Sequence, residues 1–284
     1  MLRNLPSIAF VLAFGLGAMG HASADPASCT EDTLCRILTA KVLKVGTKDD
    51  YKPWSYRDPS GKFAGIEVDL SEELGKILGA KVEFVKVNSA NRFEFLAQGQ
   101  IELMIASASD TADRRKIVGM VHPNYYSSGY NVILPKVATI KTWDQLSGQT
   151  ICALQGAWYN KPATEKFGLK TLAFSGEAEV DSALKQGRCI GILEDDNLAN
   201  AQLADASRWS GYAMPLPTQD DTPWSMAVRL DDLHKPWGLF VSGAIYDWHR
   251  SGELLKVEHA NGVAASAYLV KMHEEMKDFM PDTN

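Results

Sequence analysis

Beyond its first two dozen residues the chain has no apolar run long enough to cross a bilayer, so no helical membrane span is expected in the mature protein. It has no excess of positive charge either: 29 Lys and Arg stand against 35 Asp and Glu, a net charge of −6. A surface of that sign is not drawn to phosphate backbones or anionic lipid, which argues against nucleic acid and membrane as main partners. Six histidines lie without paired metal-ligand spacing. There is no nucleophile elbow and no phosphate loop, and a Gly15-x-Gly17-x-x-Gly20 match falls where no strand-turn-helix can form. No metal and no cofactor is therefore expected. Short-period repeats and low-complexity linkers are also missing, which excludes a solenoid.

What is present begins with an export signal. Arg3 precedes an apolar run from Ile8 to Leu16, and Ala22-Ser23-Ala24 supplies an A-x-A cleavage site. Residues 1–24 are thus expected to be removed after Ala24, leaving a soluble periplasmic protein. The cut takes away Arg3 alone among the charges and moves the net charge to −7. Four cysteines in an exported chain are expected to pair. Three connectivities are possible and the sequence does not choose among them. Cys29 and Cys35 are close neighbours, and Cys152 and Cys189 each sit in a strand-like segment, so Cys29–Cys35 with Cys152–Cys189 is the preferred pairing.

From Val42 onward strand-like and helix-like segments alternate. Val42–Gly46, Val82–Val87 and Ile101–Ala106 read as strands. Leu70, Leu74, Ile77 and Leu78 form one helical face stopped by Gly79, and a short helix lies around Phe93 to Gln98. The alternation restarts with a strand at Thr150–Leu154, a helix at Ala178–Gln186 and a strand at Cys189–Leu193. Another strand-like run follows at Trp224–Val228. Trp237, Phe240, Val241, Ala244 and Trp248 then keep helical spacing as far as Gly252, and Ala264–Met280 is helical in pattern. The order predicts an α/β fold of two units, each a mostly parallel sheet flanked by helices.

Two passages carry a resemblance. The segment from Val42 to Asp58 (VLKVGTKDDYKPWSYRD) with Gly65 to Leu70 (GIEVDL), and the segment from Ile105 to Lys116 (IASASDTADRRK) with Tyr125 to Gly129 (YYSSG), resemble family 3 of the bacterial extracellular solute-binding proteins. These are the polar amino-acid binders of ABC importers. Shorter echoes run through Thr150 to Gly156, Gln186 to Cys189 and Arg250 to Glu253, so the resemblance spans almost the whole mature chain. It implies a type II periplasmic binding fold: two lobes joined by two crossover strands, with the ligand between them. Lobe one would comprise residues 38–134 plus 229–284 and lobe two residues 139–224, with hinges near 133–138 and 225–229. It further implies a monomer whose partners are an amino acid and the membrane permease of an ABC importer.

A free amino acid presents a carboxylate and an ammonium at fixed separation. Arg114 is the candidate for the carboxylate, as a guanidinium that grips it bidentately from the start of an expected helix. Taken alone, the Asp113–Lys116 charge run reads as a solvated helix start. Ser109 adds its N–H and hydroxyl. The resemblance assigns the ammonium to Asp195, with the carbonyl of Ser107 assisting, and places Tyr51 over the ligand with Trp54 behind it as core. Ser89 stands where many relatives carry a second aromatic, and Trp158 is the candidate to fill that gap. The N–H groups of Ala157 and Trp158 approach the ligand, although the threonine common at position 157 is missing. Four residues bear on side-chain selectivity. Lys48 stands where binders of basic amino acids carry aspartate and so disfavours cations. Arg92 resembles the same motif in binders of acidic and polar amino acids, Ser89 weakens the idea of a tight apolar sandwich, and Glu194 pulls towards cations. The balance is a polar or acidic L-amino acid. The alternative on the same fold is a cyclohexadienyl (arogenate or prephenate) dehydratase, in which Glu194 would act as the acid if burial raised its pKa.

Overall fold

A computed structural model describes Cys29 and residues 32–278; the expected signal segment, its cleavage point after Ala24 and the end of the expected terminal helix lie outside the described residues. The chain is organised around two main sheets. The first has the spatial order Lys81–Lys86, Val42–Thr47, Leu103–Met104, Ala227–Val228 and Gly119–Met120. Its first three strands are parallel, and Ala227–Val228 is antiparallel to both its neighbours. Parallel neighbours need a crossover, and the helix Ile66–Leu78 supplies one, burying Ile66, Leu70, Leu74 and Leu78 on one face before it stops at Gly79.

The second sheet has the order Lys170–Phe174, Thr150–Leu154, Ile192–Asp195, Tyr126–Pro135 and Tyr212–Ala213, with Gln219–Trp224 also paired to the long Tyr126–Pro135 strand. Again the first three are parallel, and the helix Glu177–Lys185 connects two of them. The long strand is antiparallel to its partners on both sides. Alternation along it separates two faces. Tyr130, Val132 and Leu134 pack with Trp143, Leu146 and Tyr159, whereas Ile133 joins the largest apolar cluster. That cluster runs from Leu43, Val45 and Leu103 of the first sheet to Cys152, Leu154 and Ile192 of the second. Cys152 is joined to Cys189, and Cys29 to Cys35.

The passage between the sheets differs from expectation. Residues 133–135 pair with Ile192, Ala213 and Tyr212 inside the second sheet, so the expected first hinge at 133–138 falls within a strand and just beyond it. The chain crosses earlier. Val121 donates to the Met226 carbonyl at 2.9 Å and Tyr125 to that of Trp224 at 3.0 Å, so the outgoing and returning segments run side by side at 121–125 and 224–226. After Val228 the helix Pro236–Ser251 returns to the first half, where Trp237 Nε1 donates to the Glu102 carbonyl at 2.8 Å. The short helix Glu253–Ala260, which the periodicity does not single out, and Ala267–Met276 complete the fold.

Candidate ligand-binding site

The first half presents its polar groups from loops at the ends of its strands. Lys48 and Tyr51 follow the Val42–Thr47 strand, and a small antiparallel sheet of Asp50–Tyr51, Ser55–Arg57 and Phe63–Ala64 fixes Tyr51 in place. Beneath these loops lies Glu67, fully buried in the first turn of its helix. Its Oε1 accepts from the Ser107 amide at 2.7 Å, the Ser107 hydroxyl at 2.8 Å and the Tyr125 hydroxyl at 2.6 Å. Its Oε2 accepts from Ser55 Oγ at 2.9 Å and Thr47 Oγ1 at 3.3 Å. Five donors on one buried carboxylate tie three loops into a rigid rim. Gly65 makes the tight entry to this helix: at φ 117° a Cβ there would meet the Pro53 and Trp54 carbonyl oxygens at 2.5 Å.

Arg92 is 2% exposed and donates to the carbonyls of Ala106 and, at 3.2 Å, Ser107. Arg114 is 8% exposed and donates to the Ser109 carbonyl at 2.8 Å. Opposite them, the second half offers the turn after Thr150–Leu154, Asp195 at the end of the Ile192–Asp195 strand, and Glu177 at the start of its helix.

The two halves meet through these groups. The Tyr51 hydroxyl donates to Asp195 Oδ2, the Arg114 guanidinium donates to the Gly156 carbonyl at 3.2 Å, and the Glu177 amide donates to Asp50 Oδ2 at 2.9 Å. Gly156, at φ 80°, packs so closely that a Cβ would lie 2.5 Å from the Ser89 carbonyl oxygen and 2.7 Å from Ala90 Cα. Arg114 and Asp195, 81 residues apart in the sequence, are both buried where the two halves meet and act on each other electrostatically.

Burial dominates the electrostatics there. It raises the Asp195 carboxyl to about 6 despite the opposing pull of Lys48 and the Tyr51 hydrogen bond. Burial, with Arg92 close by, lowers Lys48 to about 8 and Arg114 to about 9. The Lys48 ammonium lies 3.4 Å from the Tyr51 ring centroid, a cation–π contact. Several buried polar atoms have no hydrogen-bond partner: Asp195 Oδ1, Ser109 Oγ, Arg92 Nε, Tyr159 Oη and both oxygens of Glu177. Native interiors pair nearly all such groups, so a cluster of orphans contributed by both sheets singles this region out as the candidate site.

Three expectations need correction in detail. Arg114 opens a single 3-10 turn of three residues rather than a helix, so the anion-favouring force there is the guanidinium and not a helix end. The Ser107 hydroxyl points down to Glu67 and its carbonyl accepts from Arg92, because φ 50° turns that peptide towards the scaffold. Glu194 is turned towards the next helix, where its Oε2 accepts from Gln202 Nε2 at 3.2 Å. Strand alternation puts it on the opposite side from Asp195. Trp54 is core, and Ser89 is buried against the Gly156 turn. Trp158 packs edge-on against Tyr130 and Tyr159, with ring centroids 5.6 and 6.1 Å away; Ala157 is half-buried beside it. Glu67, Tyr159 and Glu177 were not among the expected site residues. Glu67 shares a helix face with Leu70 and Leu74, and Glu177 one with Val180 and Leu184. A carboxylate on an otherwise apolar stripe is the signal that would have found both acids.

Residues 43–278 match the family model of the bacterial extracellular solute-binding proteins, family 3, and the chain belongs to that family. It is 27% identical to the ABC transporter glutamine-binding protein of Bacillus subtilis over 80% of this chain and 84% of that one. It is 22% identical to the glutamate/aspartate import solute-binding protein of Salmonella typhimurium, covering 81% of this chain and 80% of that one. Among solved structures, a solute receptor for L-cysteine of Neisseria gonorrhoeae superposes with a TM-score of 0.74 at 26% identity, over 80% of this chain and 92% of that one. The architecture is the two-lobed type II periplasmic binding fold, and the named relatives are transporter-binding proteins rather than enzymes.

Proposed function

We propose that this protein captures a polar or acidic L-amino acid in the periplasm, as a monomer, and delivers it to the membrane permease of an ABC importer. The observation that carries the reading is the meeting of Arg114 and Asp195, one from each lobe, among buried polar atoms that lack partners. A zwitterion fits such a pair: its carboxylate is held by Arg114 with the Ser109 hydroxyl, and its ammonium by Asp195 Oδ1. The amide of Trp158 lines the approach from the second lobe, whereas the Ala157 amide donates to the Leu154 carbonyl at 3.3 Å within the turn. Lys48 in the cleft repels cationic side chains.

Lobe one follows the first sheet with the C-terminal helices and lobe two the second sheet, and we place the hinges at 121–125 and 225–226. Arg114 and Tyr51 receive the ligand on the open first lobe, and Asp195 adds its carboxylate on closure, so binding favours the closed form that the permease reads. Burial pushes the Glu194 carboxyl up, but its Oε2 accepts from Gln202 and strand alternation sets it on the other side from Asp195, which supports capture over dehydration.

Calorimetry with the common L-amino acids tests this on the mature protein and on Arg114→Ala. A polar or acidic amino acid should bind the wild type, and the variant should show no detectable heat while keeping its circular dichroism. A near-normal affinity in Arg114→Ala overturns the assignment.

A further inference from the structure

Arg114 and Asp195 serve groups common to all α-amino acids, so selectivity must come from whatever else the closed cleft holds. Two charged side chains remain there without a structural task. Lys48 is 3% exposed and touches the Tyr51 ring; Glu177 is 5% exposed and neither of its oxygens has a partner. They come from different lobes and are brought together by one closure contact, the Glu177 amide on Asp50, two residues from Lys48. Glu67 is committed to five donors, and Arg92 gives one guanidinium nitrogen to two carbonyls, its Nε staying unpaired. Burial pushes the Glu177 carboxyl up and the Lys48 ammonium opposes that shift, yet Glu177 makes no hydrogen bond to it.

We infer that Lys48 and Glu177 read the ligand's side chain from opposite lobes, and that the side chain they take is a neutral carboxamide. This rests on the amino-acid reading above. A carboxamide has one acceptor oxygen for the Lys48 ammonium and an NH2 donor for Glu177, so it satisfies both with a single planar group. It also leaves the balance of buried charge unchanged. A carboxylate side chain would add an anion beside Glu177 and Asp195, and an ammonium or guanidinium would add a cation beside Lys48 and Arg92; each leaves a desolvated charge with an unfavourable neighbour. A site built to hydrogen-bond a group rejects its analogues strongly, because its own buried polar atoms are then left unpaired.

The experiment is calorimetry at pH 7 with glutamine, asparagine, glutamate, aspartate, serine, cysteine, lysine and arginine. It is run on the mature wild type, Glu177→Gln and Lys48→Gln, with melting temperatures recorded for each. The wild type should bind glutamine or asparagine at least about tenfold more tightly than the matching acid. Glu177→Gln replaces the carboxyl acceptor by an amide of the same shape and should shrink the amide-over-acid ratio by about tenfold or more, and Lys48→Gln should weaken the amide and admit lysine or arginine. If the wild type binds an acidic, basic or small amino acid in preference to both amides, the subsite assignment is wrong while the amino-acid reading stands. The subsite assignment fails equally if the ratio is unmoved in a folded Glu177→Gln. If no amino acid binds the folded wild type, the underlying reading itself fails.

Discussion

Asp195 offers the sharpest perturbation. Its Oδ2 is held by the Tyr51 hydroxyl, which orients the carboxylate and leaves Oδ1 as the free acceptor for an ammonium. Replacement by asparagine keeps the shape and the contact with Tyr51 but removes the charge. Truncating one partner of a buried, hydrogen-bonded charge pair costs about 2–5 kcal/mol. An isosteric amide retains a dipole, so the lower part of that range applies: about 2–3 kcal/mol, or roughly 30- to 150-fold in Kd.

The same residue sets a pH dependence whose sign follows from its titration. Burial lifts its carboxyl from an ordinary value of 3.8 to about 6. A protonated Asp195 has no charge for the ammonium, whereas the ligand's own amino and carboxyl groups do not titrate between pH 5 and pH 8 as a matter of ordinary amino-acid chemistry. Through Asp195 alone, affinity is full well above pH 6 and weakens below it, by about tenfold from pH 7 to pH 5, while Lys48, lowered to about 8, acts only at the upper end of the range. Stability of the unliganded protein moves the other way through this group. A raised folded pKa contributes stability that is present below pH 3.8 and is lost as pH rises through 6. Isothermal titration of wild type and Asp195→Asn at pH 5, 6, 7 and 8 reads both effects. An affinity loss smaller than about threefold at pH 7, or a wild-type profile as flat as the variant's, would falsify the role of Asp195 as the ammonium partner.

Gly156→Ala should act on closure: with a Cβ 2.5 Å from the Ser89 carbonyl, ligand affinity should fall by at least about tenfold while the thermal transition of the unliganded protein shifts only slightly, measured by calorimetry and scanning fluorimetry. Glu67→Ala should strip five donors of their acceptor and destabilise lobe one by about 3–5 kcal/mol, seen as a lower urea midpoint, with Glu67→Gln milder because an amide oxygen still accepts. Replacing Cys152 and Cys189 together by serine opens a loop of sequence separation 37 and should cost about 3–4 kcal/mol of stability by the chain-entropy model, with binding at low temperature retained.

The parts of the fold legible in the sequence are those where burial and chemistry agree. Val42–Thr47 and Thr150–Leu154 are apolar strands, and Leu70, Leu74 and Leu78 form an apolar helix face with a glycine stop. The strand Tyr126–Pro135 hides its beginning because it opens Tyr-Ser-Ser-Gly. Its serines look like loop residues, yet Ser127 and Ser128 donate to Asp221 and Asp196, and Asn131 to the Leu216 carbonyl, so each is buried with a partner far along the chain. Non-local satisfaction of that kind leaves no periodic trace, and it keeps residues 133–135 inside the second sheet rather than between the two. The site divides in the same way. Arg114, Asp195 and Tyr51 are legible through their passages' resemblance to a family. Glu194 is not, because a Glu-Asp-Asp run does not say which acid faces the cleft, and only strand alternation resolves that. Glu177 looks like one acid among many at a helix start, where Asp and Glu are commonplace.

In the proposed mechanism, the charge content of the cleft makes capture and closure one event. Lys48, Arg92 and Arg114 are buried with Glu177 and Asp195, and desolvation is the largest influence on the titration of all five. Buried ion pairs recover their desolvation cost only when geometry and hydrogen bonding are complete. The contacts that close this cleft are few: Tyr51 on Asp195, Arg114 on a carbonyl, and an amide on Asp50. A zwitterion lying between Arg114 and Asp195 completes both charge pairs in the closed arrangement and only one in the open arrangement. Its differential affinity is thus one desolvated pair, and about 5.5 kcal/mol of such difference carries a two-state equilibrium from 1:99 to 99:1. On the proposed reading the second lobe needs no separate latch, because the charge assigned to the ligand's ammonium is also the charge that would draw the lobe shut.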